Sequence, residues 1–434
     1  MHDWILKRNR KIYLSHHKNQ NPHIHTNQRT TTTTHNTQQQ QQQQQQHNAT
    51  IFLISMISSM ISIEILQRPT TDQNDDDDED NRIIGVDDPS YTIKVVKKTS
   101  TTYNSHSQQQ EQLSTDVDAV ATAATKKNEV VEVVNIPVLA FGMYKVPDND
   151  DGVQIVLDAI QCGYRHFDSA SIYDNEKTLG KALALALALS MTSKTKEVLR
   201  SQLFIASKVW NDVQKDGRDA VRRSVEQSLN DLQIDYLDIC YVHWPVPGYF
   251  VETYRELMLL CNEGKIKYLG ISNFDKLDYE ELIDGIYESI FIPPLINQFE
   301  ISPFMYRPDL IQYFQKENGI LIAASKALNR CAAISDDNND VNVNVNVTNN
   351  TNMKIIQDIA TLYDVTYAQI LLRWSFQKGY IVLSKTSNIL RMKENRNIFS
   401  FCLSNKEMKQ LDSITTENDI RIREELEVQR KTNS

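Results

Sequence analysis

In GYRHFDSASIYDNE, residues 163–176, a carboxylate and a phenol, Asp168 and Tyr173, stand five positions apart behind a short apolar and aromatic run. Two groups of complementary chemistry follow: Lys208 near the end of LFIASKV (203–209) and His243 near the end of YLDICYVHW (236–244). A free phenol, with a pKa near 10, is a poor acid at pH 7. A nearby ammonium favours the phenolate and lowers that value. A buried ammonium in turn needs a carboxylate if it is to stay charged. The expected roles are therefore Tyr173 as general acid, Lys208 tuning it, Asp168 keeping Lys208 charged, and His243 orienting a carbonyl oxygen. Such a set would protonate an alkoxide as a hydride arrives at carbon, and a positioned acid contributes about 10²–10⁴ in rate. Taken singly, each residue has a plainer use, Asp168 as a helix cap and Tyr173 as packing. Their joint placement at successive strand ends is what points to chemistry.

The elements that would carry them repeat. From about residue 138 the chain alternates short apolar runs with amphipathic stretches of helical period. The runs are VLAFGMY (138–144), YRHFDS (164–169), LFIASKV (203–209), YLDICYVHW (236–244), YLGISN (268–273), LINQFEIS (295–302), ILIAAS (320–325) and YIVLSKT (380–386). Between them, DGVQIVLDAIQCG places apolar residues on one helical face and offers Gly163 as a stop. GRDAVRRSVEQSLNDL (217–232) does the same with Val221, Val225, Ser228, Leu229 and Leu232. Eight strand–helix units predict an α/β protein of the closed (β/α)8 TIM-barrel class, in which functional side chains gather at the carboxyl ends of the strands. An open doubly wound sheet is the rival, and the absence of GxGxxG after any of these strands speaks against it.

Before the barrel, YTIKVV (91–96) and EVVEVVNIP (129–137) predict an N-terminal β-hairpin whose tip is an insertion over 97–128. A second insertion, DDNNDVNVNVNVTNNTN (336–352), reads as a surface loop. Residues 1–87 hold five consecutive Thr, nine consecutive Gln and the acidic run Asp72–Asp80. Such a leader buries too little apolar surface to offset chain entropy and is expected to be disordered and of low complexity. The expected layout is thus a leader over 1–87, a barrel domain over 88–420 and a tail over 421–434. Net charge is −10, with seven acidic residues grouped in the run Asp72–Asp80, and the folded part shows no basic stripe for nucleic acid. Ile51–Leu66 is the longest apolar stretch, shorter than the roughly twenty residues that a spanning helix needs, so no membrane role is expected. The five cysteines lack CxxC spacing, which excludes a zinc site by pattern and fits a reducing, cytoplasmic setting.

With these residues in view, the sequence resembles the aldo-keto reductases. GYRHFDSASIYDNEKTLG (163–180) follows the family's first signature, KYLGISNF (267–274) its second, and LSKTSNILRMKENRNI (383–398) its third except at Ser384, where Pro or Ala is usual. HWP (243–245) and NQFE (297–300) add to it. The resemblance implies a catalytic tetrad of Asp168, Tyr173, Lys208 and His243. It implies NADPH/NADP+ as cofactor, with Ser272, Asn273 and Gln298 on the nicotinamide carboxamide. Lys385, Thr386 and Arg391 would hold the adenosine 2′-phosphate, and Glu394 and Asn395 would lie near the adenine. It also implies a substrate pocket walled by Trp210 and Trp244, with Tyr144 where a Trp is common, and no metal. Ser325 stands where the family places an aromatic that stacks on nicotinamide. The implied activity is reduction of a small carbonyl substrate, an aldehyde or ketone, by a monomer. Two other classes remain open on sequence: a non-catalytic NADPH-binding regulatory module, and a scaffold driven by the low-complexity segments.

Overall fold

The computed structural model describes residues 92–101, 128–192, 198–286, 291–328 and 350–433. The leader, the hairpin tip over 102–127, Cys331 and most of the 336–352 insertion lie outside the described residues.

Strands β1 (Thr92–Thr101) and β2 (Asn128–Pro137) pair antiparallel, with Thr92 opposite Pro137 and Thr101 opposite Asn128. The hairpin therefore runs five residues further on its first strand than YTIKVV suggests. Ile93, Val134 and Ile136 are buried in the main hydrophobic core. Because β2 leads directly into the first barrel strand, the hairpin covers the amino-terminal end of the barrel, away from the strand ends where chemistry is expected.

Eight parallel strands then close on themselves: β3 (Leu139–Gly142), β4 (His166–Asp168), β5 (Phe204–Val209), β6 (Leu237–Val242), β7 (Ile266–Ser272), β8 (Ile296–Glu300), β9 (Leu321–Ser325) and β10 (Ile381–Ser384), with β10 beside both β9 and β3. Seven of the eight runs read from the sequence contain one of them whole; β7 begins at Ile266, two residues before YLGISN. They were legible because strands covered on both faces read as continuous apolar runs; β5 and β6 are buried along their whole length.

Helices α1 (Asp150–Gln161), α2 (Glu176–Thr192), α3 (Asn211–Lys215), α4 (Arg218–Leu232), α5 (Phe250–Asn262) and α6 (Lys276–Gly285) surround the first half. The second half carries α7 (Pro308–Ile311), α8 (Asn350–Tyr363), α9 (Tyr367–Gln377), α10 (Ile389–Arg396), α11 (Asn405–Asp412) and α12 (Glu417–Asn433). The apolar face of α4 is the expected one: Val221, Val225, Ser228, Leu229 and Leu232 are its buried residues. Helix α1 stops at Cys162, and Gly163 follows at φ +94°, a conformation glycine adopts without cost.

The segment expected as a tail over 421–434 is instead most of α12, docked on the barrel by charge. Arg423, Glu427 and Lys431, four residues apart, are its buried stripe. Arg423 meets Glu300 at 2.8 Å and Glu427 at 2.8 Å, Arg307 meets Glu427 at 3.0 Å, and Lys431 sits between Asp275 and Asp278. Buried ions need such partners to offset desolvation.

Inside the barrel, Gly270 on β7 leaves room for the Tyr241 ring of β6. A Cβ there would lie 2.3 Å from Tyr241 Cδ1. Tyr241 is fully buried and has nowhere to retreat. Gly270→Ala is therefore expected to cost about 1–3 kcal/mol by overpacking and to lower Tm by several degrees. An unchanged melting temperature would show that the ring has slack.

Candidate active site

Strand register brings the tetrad together. Asp168, the last residue of β4, pairs with Ala206 of β5, so Lys208 lies two residues further along and on the same face. Lys208 pairs with Tyr241 of β6, and His243 again lies two residues beyond on that face. The stagger of a closed barrel thus lifts each group above the last around one rim. Tyr173 reaches the rim from a short 3₁₀ turn, Ser171–Tyr173, stopped by Asp174 in the left-handed region. Ser171 Oγ donates to the Lys208 carbonyl at 3.1 Å, and Asn175 Nδ2 donates to the carbonyls of Met143 and Val146 at 2.8 Å. These bonds tie the turn to β5 and to the end of β3.

Lys208 Nζ donates to Asp168 Oδ2 at 2.7 Å and to the Ser169 carbonyl at 2.7 Å, with both side chains buried. The ammonium lies 5.3 Å from the centre of the Tyr173 ring. The Tyr173 ring packs on Tyr144 at 5.2 Å and on His243 at 6.0 Å, and His243 packs edge-on to Trp210 at 5.0 Å.

The electrostatics differ from the sequence expectation in one respect. Burial works against the Lys208 cation, but Asp168 and Tyr173 together hold its pKa above the ordinary lysine value. For Tyr173 burial is the largest influence and raises the phenol's pKa; Lys208 pulls it back only in part. The expected lowering is thus reversed, because desolvation of the phenolate outweighs one neighbouring cation. The phenol consequently keeps its proton until something accepts it. His243 is pushed well below the usual imidazole range, by burial first and Lys208 second, so it is neutral at pH 7. Its Nδ1 has no hydrogen-bond partner.

Asp168, Tyr173 and His243 line a cavity of ≈ 1150 Å³, larger than the roughly 300–1,000 Å³ of common small-ligand sites. Ser272, Asn273 and Gln298 line it, as do Lys385, Thr386 and Arg391 just past β10. Ser272 Oγ and the Asn273 amide both donate to the Gln298 carbonyl at 2.9 Å, and Asn273 Nδ2 donates to the His243 carbonyl at 3.0 Å. Asn273 adopts φ +61°, which the left-handed tolerance of Asn permits. Trp210, Trp244 and Tyr144 form apolar walls near the tetrad, with Arg430 of α12 over the Trp244 ring at 5.9 Å. The residues present, amide and hydroxyl donors together with the cations Lys385 and Arg391, suit an anionic dinucleotide.

Other positions fall elsewhere. Glu394 lines a separate hollow of ≈ 590 Å³ with Gln161, Cys162 and Arg396, and Asn395 is buried. Ser384, the departure from the third signature, faces the Tyr164 hydroxyl at 3.4 Å. Ser325 does line the main cavity. Phe299, the nearby ring that could replace an aromatic there, is buried against Phe314 at 6.5 Å with Arg307 over its ring at 5.1 Å. Sequence reasoning passed over Glu300, Lys326 and Arg423, which also line the cavity. The NQFE motif marks Glu300, but its partner Arg423 is over a hundred residues away, where no local pattern points to it. Among the described residues no cluster is suited to a metal, Cys162, Cys240, Cys261 and Cys402 are free thiols, and no helix is long and apolar enough to cross a membrane.

Barrel and rim together define a (β/α)8-barrel oxidoreductase. Residues 138–416 match the model of the Aldo/keto reductase family, and the chain belongs to that family. It is 31% identical over 287 residues to the glyoxal reductase of Bacillus subtilis, covering 66% of this chain and 92% of that one. It is 29% identical over 287 residues to the 9,11-endoperoxide prostaglandin H2 reductase of Trypanosoma cruzi, with 66% and 90% covered. Among solved structures, an aldo-keto reductase of Bombyx mori in complex with NADP superposes with a TM-score of 0.54 at 26% identity, covering 65% of this chain and 90% of that one.

Proposed function

We propose that the protein is an NADPH-dependent reductase of the aldehyde-reductase type, converting aldehydes or ketones to alcohols. The observation that carries this is the buried Asp168–Lys208 pair beside the Tyr173 ring, at a cavity that Tyr173, Lys385 and Arg391 all line. When bound, NADPH supplies a hydride to the carbonyl carbon. Tyr173 Oη gives its proton to the carbonyl oxygen as that oxygen gains charge. Lys208 stabilises the phenolate that remains, and Asp168 keeps Lys208 charged. Neutral His243 orients the carbonyl oxygen, and Trp210, Trp244 and Tyr144 hold the apolar part of the substrate and exclude water. Ser272 and Asn273 fit the carboxamide. The free thiols suit a reducing compartment such as the cytoplasm.

The direct test is loss of NADPH absorbance with a panel of small aldehydes and ketones. Oxidation with none of them sinks the reading.

Cofactor choice gives a second test. NADPH and NADH differ by the 2′-phosphate alone, and a hydrogen bond to a charged group contributes about 1.5–3 kcal/mol. Lys385→Met is expected to weaken NADPH binding by roughly 10–150-fold, on the scale of 1.4 kcal/mol per tenfold, and to leave NADH within about twofold. Titration calorimetry with each cofactor measures this. Equal losses would remove Lys385 from the phosphate site.

A further inference from the structure

Gln298 reaches further than a cofactor contact needs to. It sits on β8, four strands from β4 in a closed ring of eight, so the two strands face each other across the barrel. Its Nε2 donates to Asp168 Oδ1 at 2.8 Å, while the other oxygen of the same carboxylate takes Lys208 at 2.7 Å. Asp168 and Gln298 are both buried. The Asp168 carboxylate is thus gripped from two sides, by its neighbour strand and from across the mouth. An ionised carboxylate only accepts hydrogen bonds, so the amide must turn its NH2 toward Asp168. The other end of that amide is then a carbonyl, and Gln298 lines the cavity. The Gln298 main chain is held in turn by Ser272 Oγ and the Asn273 amide.

We propose that Gln298 is a positioning residue: it holds Asp168 across the barrel so that Lys208 stays beside Tyr173. The turnover readouts below rest on the reductase reading above; the melting-temperature readout does not.

Gln298→Met keeps the length and bulk of the side chain and removes the amide. It is expected to lower kcat at saturating NADPH about tenfold. In an Asp168→Asn background the same change should move kcat by less than about twofold, since groups acting through one another are not additive. The same four proteins, free of cofactor, provide a melting-temperature cycle: Gln298→Met lowers Tm in the parent and by clearly less beside Asp168→Asn. Gln298→Glu, which folds the same bulk around a second carboxylate facing Asp168, should lower kcat further than Gln298→Met. Additive effects in both cycles overturn the positioning role. Weaker NADPH binding with unchanged kcat would reduce Gln298 to a cofactor contact and sink the proposal. If the parent turns over no carbonyl compound, the reductase reading fails, yet the melting-temperature cycle still decides whether Gln298 positions Asp168.

Discussion

Tyr173→Phe lowers kcat for aldehyde reduction by about 10²–10⁴, the usual worth of a positioned general acid, and leaves the dissociation constant for NADPH within about twofold. The expected split follows from what the ring does apart from its hydroxyl. It packs against Tyr144 at 5.2 Å and lies 5.3 Å from the Lys208 ammonium, and both contacts survive in Phe. Burial holds the phenol's proton in place, so at pH 7 the parent carries the proton that the variant lacks. Steady-state kinetics beside a calorimetric titration check both halves. Turnover within tenfold of the parent would falsify the assignment of Tyr173 as the acid.

Lys208→Met is expected to do damage of two kinds. Breaking a buried ion pair by removing one partner costs about 3–5 kcal/mol, because the other charge is left without compensation. Here that charge is Asp168, with the Lys208 side chain 0% and the Asp168 side chain 5% exposed. The variant should therefore unfold at clearly lower denaturant, and its kcat should fall at least as far as that of Tyr173→Phe. The double variant Asp168→Asn/Lys208→Met separates the two: it should recover a good part of the stability and none of the turnover. Denaturant melts of the three proteins read the first, and NADPH oxidation reads the second. Full recovery of turnover in the double variant would mean that Lys208 serves only to neutralise Asp168.

The barrel was legible because its strands are covered on both faces, so that IASKV in β5 and LDICYV in β6 read as apolar runs interrupted only by residues with work to do. The tetrad was legible for a related reason. A lysine and a carboxylate inside otherwise buried strands, and a histidine one residue past another, are conspicuous. What was not legible depends on distance along the chain. Gln298 and Asp168 lie 130 residues apart, and nothing local in NQFE announces a bond across the barrel. Helix α12 defeats hydropathy altogether: Arg423, Glu427 and Lys431 make its buried face, so a charged stripe that ordinarily marks a solvated tail instead marks an interface. Tyr173 shows a third limit. The sequence supplies the cation that lowers a phenol's pKa, but the depth of burial that raises it is a property of the assembled rim. Glu394 and Asn395 show a fourth, since neighbours on one helix face different ways, Asn395 into the interior and Glu394 to a separate hollow.

The walls of the cavity also have an optical consequence. The chain has four tryptophans. Trp210 and Trp244 line the cavity, whereas Trp374 is sealed in the core with its indole nitrogen on Asp412 at 2.8 Å. Ultraviolet excitation should therefore give a steady emission from Trp374, at the short wavelengths of a dry indole, on top of emission from two indoles that sense whatever enters beside His243. A reduced nicotinamide absorbs where indoles emit, so its arrival should dim the two cavity indoles by energy transfer and light its own blue band. The protein thus carries a built-in reporter for occupancy of its own cavity, and Trp210→Phe and Trp244→Phe would divide that signal between the two walls.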